Sequence, residues 1–194
     1  MTLRKAWFGF GLLLISLLCL SYIAISSYEQ ELSYEHSIHA RDSIDSYAKH
    51  IEDILLINFT NLDSIQAHGF AHVIYESCDR FHVDWSLVAS IIYYESTYQT
   101  SSVNPKSGCV GLMALCDETA ARQAKKCGVK RPLYRDPFIN ILLGTCYLRE
   151  LLDKYPNNLD QVINVYVGNK TETEEAVKYR GGVKADYLRM KRMR

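Results

Sequence analysis

The chain has 194 residues, 48% hydrophobic and 23% charged, with 22 basic residues against 22 acidic ones. A formal net charge of zero argues against a nucleic-acid binder. The length suits one sizeable core rather than two.

Arg4 and Lys5 precede an uncharged apolar run from Trp7 to Ile25. The run is about long enough to span a bilayer as a helix, and its basic flank predicts that everything after it is exported. A cleaved signal peptide is the rival reading, because Ala24-Ile25-Ser26 offers small residues at a suitable spacing. The length of the run favours an uncleaved anchor. Leu17-Leu18 before Cys19 argues against a lipoprotein site. The expected partition is an anchor over 1–27, a helical spacer over 28–61 and an all-α domain over 62–194.

Asp42-Ser43 reads as a helix start, with Ile44, Tyr47, Ile51, Ile54 and Leu55 on one face. A second periodic segment runs from about Leu62 to Phe81, with Ile65, Val73, Ile74 and Cys78 facing inward. Asp84 then reads as the N-cap of a helix carrying Leu87, Val88, Ile91 and Ile92 at helical spacing. Glu95 lies four residues past Ile91 and three past Ile92, so it shares their stripe. Desolvation there would disfavour the charged form and raise its pKa. A proton donor that survives near neutrality is what cleavage of a glycosidic bond needs. The structural alternative is a helix-end Glu capped or paired at the rim of a core.

A loop follows from Tyr98 to Gly108. Asp117 is the expected cap of a helix ending near Gly128, with Glu118 a first-turn charge. Asp136-Pro137 opens a helix bearing Ile141, Leu142, Leu148, Leu151 and Leu152 and stopping near Pro156. Asn158 starts another that ends near Gly168, and Gly181-Gly182 is expected to separate two short final helices. No segment shows sustained strand alternation.

Five cysteines lie beyond the apolar run: Cys78, Cys109, Cys116, Cys127 and Cys146. In an oxidising compartment some should pair, leaving an odd one. His68 and His72 stand at i, i+4, but no further ligand follows at motif spacing, so no metal and no other cofactor is expected. From Lys178 to Arg194 the tail carries seven basic residues against Asp186 alone. A solvated helix face is the simpler reading, and contact with an anionic membrane surface or polymer is the functional one.

Taken in order, Glu95-Ser96, Gly111-Leu112-Met113, Asp136-Pro137 with Asn140 and Gly144, Tyr147-Leu148 and Tyr166 resemble the soluble lytic transglycosylase family. The resemblance covers roughly Phe70 to Tyr187 and implies a lysozyme-like fold acting on peptidoglycan glycan strands. It implies that Glu95 is the lone catalytic acid and base. Glu95 would protonate the oxygen between N-acetylmuramic acid and N-acetylglucosamine. It would then take the proton of the muramic acid C6 hydroxyl as a 1,6-anhydro ring closes. It further implies substrate-binding roles for Ser96, Gly111, Leu112, Met113, Tyr166 and Tyr187, with Tyr166 facing Glu95 and Tyr187 lining the same site. For Ser96 a local helix-end hydrogen bond is the competing reading, and for Met113 simple core packing.

Two positions depart from the family pattern. Ala114 stands where Gln normally follows Gly-Leu-Met, and Ala-Tyr-Asn-Ala-Gly becomes Val165-Tyr166-Val167-Gly168-Asn169. Two polar contacts to substrate are therefore expected to be missing, each worth about 0.5–1.5 kcal/mol. Asn169 would substitute only through a rebuilt loop. The expected setting is the inner membrane through residues 7–25, with the domain in the periplasm or cell envelope, or secreted if the segment is cleaved. The long spacer also allows service to a larger envelope or secretion assembly. A lysozyme-type hydrolase of the same fold and a non-catalytic wall-binding scaffold are the rival functions.

Overall fold

The computed structural model describes residues 3–130, 133–168 and 173–193, with side chains from residue 19 onward. The chain divides into two compact units, Met1–Asp45 and Ser46–Arg194. The first unit is helical, the N-terminal part of α1 (Leu3–Asn58). Its described apolar side chains, among them Leu20, Tyr22, Ile23, Ile25 and Tyr28, are exposed. Among the described residues no helix is long and apolar enough to cross a membrane. Most of the run read as an anchor, residues 7–18, lies outside the described side chains.

The second unit holds the end of α1 and six further helices among the described residues. These are α2 (Ser64–Phe81), α3 (Trp85–Ser96), α4 (Asp117–Lys126), α5 (Pro137–Lys154), α6 (Leu159–Tyr166) and α7 (Glu174–Lys191). The expected all-α class holds. The only strand-like pairing among the described residues is two isolated antiparallel bridges, Val103 with Val110 and Val110 with Leu115.

Several sequence expectations shift. No helix starts at Asp42-Ser43, because α1 runs through them unbroken. No glycine or proline interrupts residues 28–58. The segment read as a spacer gives its last turns to the core: Ala48, Ile51, Ile54, Leu55 and Phe59 are all buried. In α2 the buried face is Ala67, Phe70, Ala71, Ile74, Ser77 and Cys78. Ile65 sits two residues before that stripe begins, off its face, and is 84% exposed. The α2 N-cap is Asp63, which with Gln66 forms a reciprocal capping box. Asp117 is not a cap but the first residue of α4, accepting a hydrogen bond from the Tyr134 hydroxyl; Cys116 occupies the cap position.

The pair Gly181-Gly182 does not divide the last helix either. A Cβ at Gly182 would overlap the Tyr94 ring, so glycine is what lets α7 lie directly against α3. That contact is the most extensive between helices. Within α3, Val88, Ile91 and Ile92 are fully buried, each contributing about 1.5–3 kcal/mol relative to exposure. Asp84 caps α3 through the Ser86 amide, and Asp136 caps α5 through the amides of Phe138 and Ile139, as expected.

Two disulfides form, Cys109–Cys116 and Cys127–Cys146, and buried Cys78 stays outside both. The second ties the end of α4 to α5. The same two helices are joined at Glu150, which accepts hydrogen bonds from Arg122, Gln123 and Lys126. Partial burial pushes the Glu150 pKa up, but these three donors outweigh it and hold the group at about 2. A depressed carboxylate contributes stability above its unfolded pKa and loses it as pH falls through the folded one. The Glu150→Gln variant is therefore expected to be less stable at neutral pH. Its stability should also fall less steeply between about pH 4.5 and 2, as read by thermal unfolding across that window.

His68 is engaged with buried Glu52, its Nδ1 lying 3.0 Å from Oε2, and its ring meets that of His72 at 4.7 Å. In the basic tail, Lys184 pairs with Asp160, Arg189 with Asp186, and Arg180 donates to Asn164. Much of that charge is thus answered within the domain; Arg194 lies outside the described residues.

Candidate active site

The capping Asp84 fixes where α3 begins, and two left-handed residues fix where it ends. Thr97 (φ 49°) and Tyr98 (φ 62°) follow Ser96. Consecutive non-glycine residues in this region cost of order 1–3 kcal/mol each. They are held by the Tyr98 hydroxyl, buried and donating to Ala89 O at 3.0 Å, and by Asn61, which donates to Thr97 O. The strain stops α3 one residue past Glu95.

Glu95 is half-buried in that last turn, beyond fully buried Ile91 and Ile92. Tyr179 of α7 donates its hydroxyl to Glu95 Oε1 at 2.6 Å. Burial, then the Glu95 charge, push the Tyr179 pKa well above its usual value, so it remains a neutral donor. Burial and the same charge do likewise for Tyr166, which places that ring within electrostatic reach of Glu95. Glu95 opens onto a cavity of about 210 Å³ lined also by Asn104, Lys106, Cys109, Ala114, Tyr166 and Val167. It is the one acid among the described residues of that lining.

The opposite wall is built by the turn Gly111–Leu115. Asn140 of α5 is fully buried and clamps it: Oδ1 accepts from Met113 N at 2.7 Å, and Nδ2 donates to Val110 O at 3.0 Å and Tyr134 O at 2.8 Å. Gly111 (φ 83°) makes this possible, since a Cβ there would overlap the Asn140 amide. Gly144 does the same for Met113, whose side chain fills the space above it. Tyr166 completes the wall by donating to Met113 O at 2.9 Å. The Cys109–Cys116 disulfide closes the loop below.

The sequence-derived site is thus partly assembled and partly reassigned. Glu95 and Tyr166 share one cavity. Gly111, Leu112 and Met113 are buried, the latter two wholly, so they support the wall instead of presenting side chains to a ligand. Gly111 makes room for the Asn140 amide. Ser96 is also buried and spends its hydroxyl on Ile92 O at 2.9 Å, the local helix-end bond. Tyr187 is not at this site: its hydroxyl lies 3.5 Å from Asp84 Oδ2, at the other end of α3. Tyr179, missed in the sequence, takes the place expected of it. Both departures, Ala114 and Val167, line the cavity, while Asn169 lies outside the described residues. Removing the Tyr179 hydroxyl takes away a charge-assisted hydrogen bond worth about 1.5–3 kcal/mol. Tyr179→Phe is expected to slow turnover roughly 10- to 100-fold while leaving the far-ultraviolet dichroism unchanged.

The helical domain with one carboxylate at the end of a buried helix has the lysozyme-like fold of solved lytic transglycosylases. An inactive mutant of the lytic transglycosylase Slt from Pseudomonas aeruginosa superposes with a TM-score of 0.55 at 16% identity, covering 76% of this chain and 30% of that one. The chain belongs to the Transglycosylase SLT domain family, whose model matches residues 72–188. It is 33% identical over 92 residues to a membrane-bound lytic murein transglycosylase F 1 of Alkalilimnicola ehrlichii, covering 47% of this chain and 17% of that protein. It is 30% identical over 100 residues to a membrane-bound lytic murein transglycosylase C of Shigella sonnei, covering 49% and 28%. The match thus spans under a third of the length of either relative.

Proposed function

We propose that this chain is a peptidoglycan lytic transglycosylase, cleaving between N-acetylmuramic acid and N-acetylglucosamine with Glu95 as its general acid and base. The observation that carries the reading is the solitary carboxylate: Glu95 has a tyrosine donor at 2.6 Å and no second acid in its described cavity lining. A hydrolase using two carboxylates needs a partner across the bond, about 5–9.5 Å away depending on stereochemistry. A lone group must instead give its proton to the leaving oxygen and recover one from a nucleophile. In this reading the nucleophile is the C6 hydroxyl of the same muramic acid, so the ring closes without water. Tyr179 steadies the carboxylate through both steps and does not itself ionise.

That chemistry sets a direct test. Digestion of purified peptidoglycan in ¹⁸O-labelled water is expected to leave the new glycan ends unlabelled. Label at the new ends would identify hydrolysis instead.

Ala114 and Val167 in the cavity lining favour a second reading, in which the domain grips the wall without cutting it. Ala114 cannot hydrogen-bond through its side chain, and beyond Glu95 and Tyr166 the polar side chains of the lining are Asn104, Lys106 and Ser107. This lowers substrate affinity without touching the acid, so we retain the enzymatic reading. We also propose the partition 1–27 anchor, 28–61 spacer and 62–194 catalytic domain, with the α1 turns from Ala48 onward packed into that domain. Residues 7–25 would hold the chain in the inner membrane and the domain in the periplasm, where a local opening in the wall would serve a larger envelope assembly. The apolar run and the membrane-bound names of the two relatives support this reading.

A further inference from the structure

At the opposite end of α3 from Glu95 lies a larger cavity, of about 480 Å³, within the compact unit Ser46–Arg194. Asp84 and Glu95 are eleven positions apart, about 16 Å along a helix, so this is not part of the catalytic cleft. Its volume falls in the range of small-molecule sites, about 300–1,000 Å³. The floor is apolar, made by Ile51, Cys78 and Val83, all buried. The walls are rings: Tyr47 stacks on Tyr75 at 5.8 Å, and His50 meets Trp85 edge-on at 6.5 Å.

The charges at the rim decide what class of ligand fits. No lysine or arginine lines the cavity. Of its two carboxylates, Asp84 is committed to the α3 cap through Oδ1, and its Oδ2 faces Lys191 at 3.8 Å. Asp79 therefore carries the remaining negative charge, too little for a cage built to hold a cation. The carboxylate of Asp79 and the imidazoles of His50 and His82 have no hydrogen-bond partner among the described residues, yet they edge an aromatic pocket. Flat apolar faces beside unspent hydrogen-bonding groups match a neutral ring with apolar C–H faces and polar edges. We propose that this cavity is a second saccharide site, holding a pyranose against the rings of Tyr47, Tyr75 and Trp85 while Asp79 and His50 bond its hydroxyls. Such a site would tether the domain to its polymer independently of the cleft. The choice of a sugar rests on this lining and not on the role of Glu95.

The chain has two tryptophans, Trp7 and Trp85, so the Trp7→Phe, Glu95→Gln form of the 194-residue chain reports from Trp85 alone. Titrated with tri-N-acetylchitotriose, its emission is expected to change saturably. Tyr47→Ala and Asp79→Asn, both at exposed positions, are expected to weaken that affinity roughly tenfold each, the loss of one contact. A flat titration by protein with native circular dichroism would overturn the proposal. So would a response that both variants leave unchanged, or a response to a lysine-rich peptide and not to the sugar. Loss of product formation in Glu95→Gln is read separately, so failure of the catalytic reading and failure of this one are distinguishable.

Discussion

Glu95→Gln is expected to lower release of soluble fragments from peptidoglycan by roughly 10²- to 10⁴-fold, the usual contribution of a positioned acid or base. The amide keeps the shape and can still accept from Tyr179, whose hydroxyl lies 2.6 Å from Oε1. What it cannot do is deliver or accept the reacting proton. Because no second acid lines the described part of the cavity, no other group there can assume the role. The variant should therefore fold like the parent, with an unchanged melting temperature. A parallel loss of stability would instead mean that Glu95 is a structural partner of Tyr179.

The second large effect is structural. Asn140→Ala leaves the buried Met113 N without its acceptor and takes one donor each from Val110 O, which keeps the Leu115 amide, and from the part-buried Tyr134 O. At about 1–3 kcal/mol for the unsatisfied amide and about 0.5–1.5 kcal/mol for each of the other two lost bonds, a loss of about 4 kcal/mol is expected. For a domain of this size that is a fall of roughly 10 °C or more in melting temperature, measurable by circular dichroism. Asn140→Asp should do no better, since a carboxylate keeps the shape but turns an acceptor toward two carbonyls. Activity should fall alongside stability, because the same three bonds set the turn that carries Ala114 and anchors Tyr166.

Both effects trace to residues whose addresses could be read in the chain, though only one had a legible role. The Asp84 cap and the Leu87–Ile92 stripe are local signals, and they place Glu95 at the helix end without further information. Asn140 was visible as part of a motif, but its function depends on Gly111 lying twenty-nine positions earlier with φ 83°, which no local pattern reports. Tyr179 was hidden for a related reason. It is one of fourteen tyrosines and reaches Glu95 across 84 positions. Tyr187 lies eight residues on, two helical turns away on the same face of α7. Helical period alone cannot choose between those turns. Gly182 fixes how α7 seats against Tyr94, and with it Tyr179 meets the C-terminal end of α3 while Tyr187 meets its cap at Asp84.

The glycine pair misled for the opposite reason. Gly181-Gly182 reads as a break when propensity alone is weighed, yet α7 runs through both, and at Gly182 the missing Cβ is what lets it close on Tyr94 of α3. Likewise Gly111, Leu112 and Met113 occupy the expected place, but burial converts them from ligand contacts into the support behind the cleft.

Glu95 as a lone acid and base is tested most directly by mass spectrometry of the glycan ends that the 194-residue chain releases from purified peptidoglycan. Fragments ending in 1,6-anhydro-muramic acid, lighter by one water than reducing ends, are expected, and they should disappear with Glu95→Gln. Reducing muramic ends, or anhydro ends that persist in the Glu95→Gln protein, would contradict it.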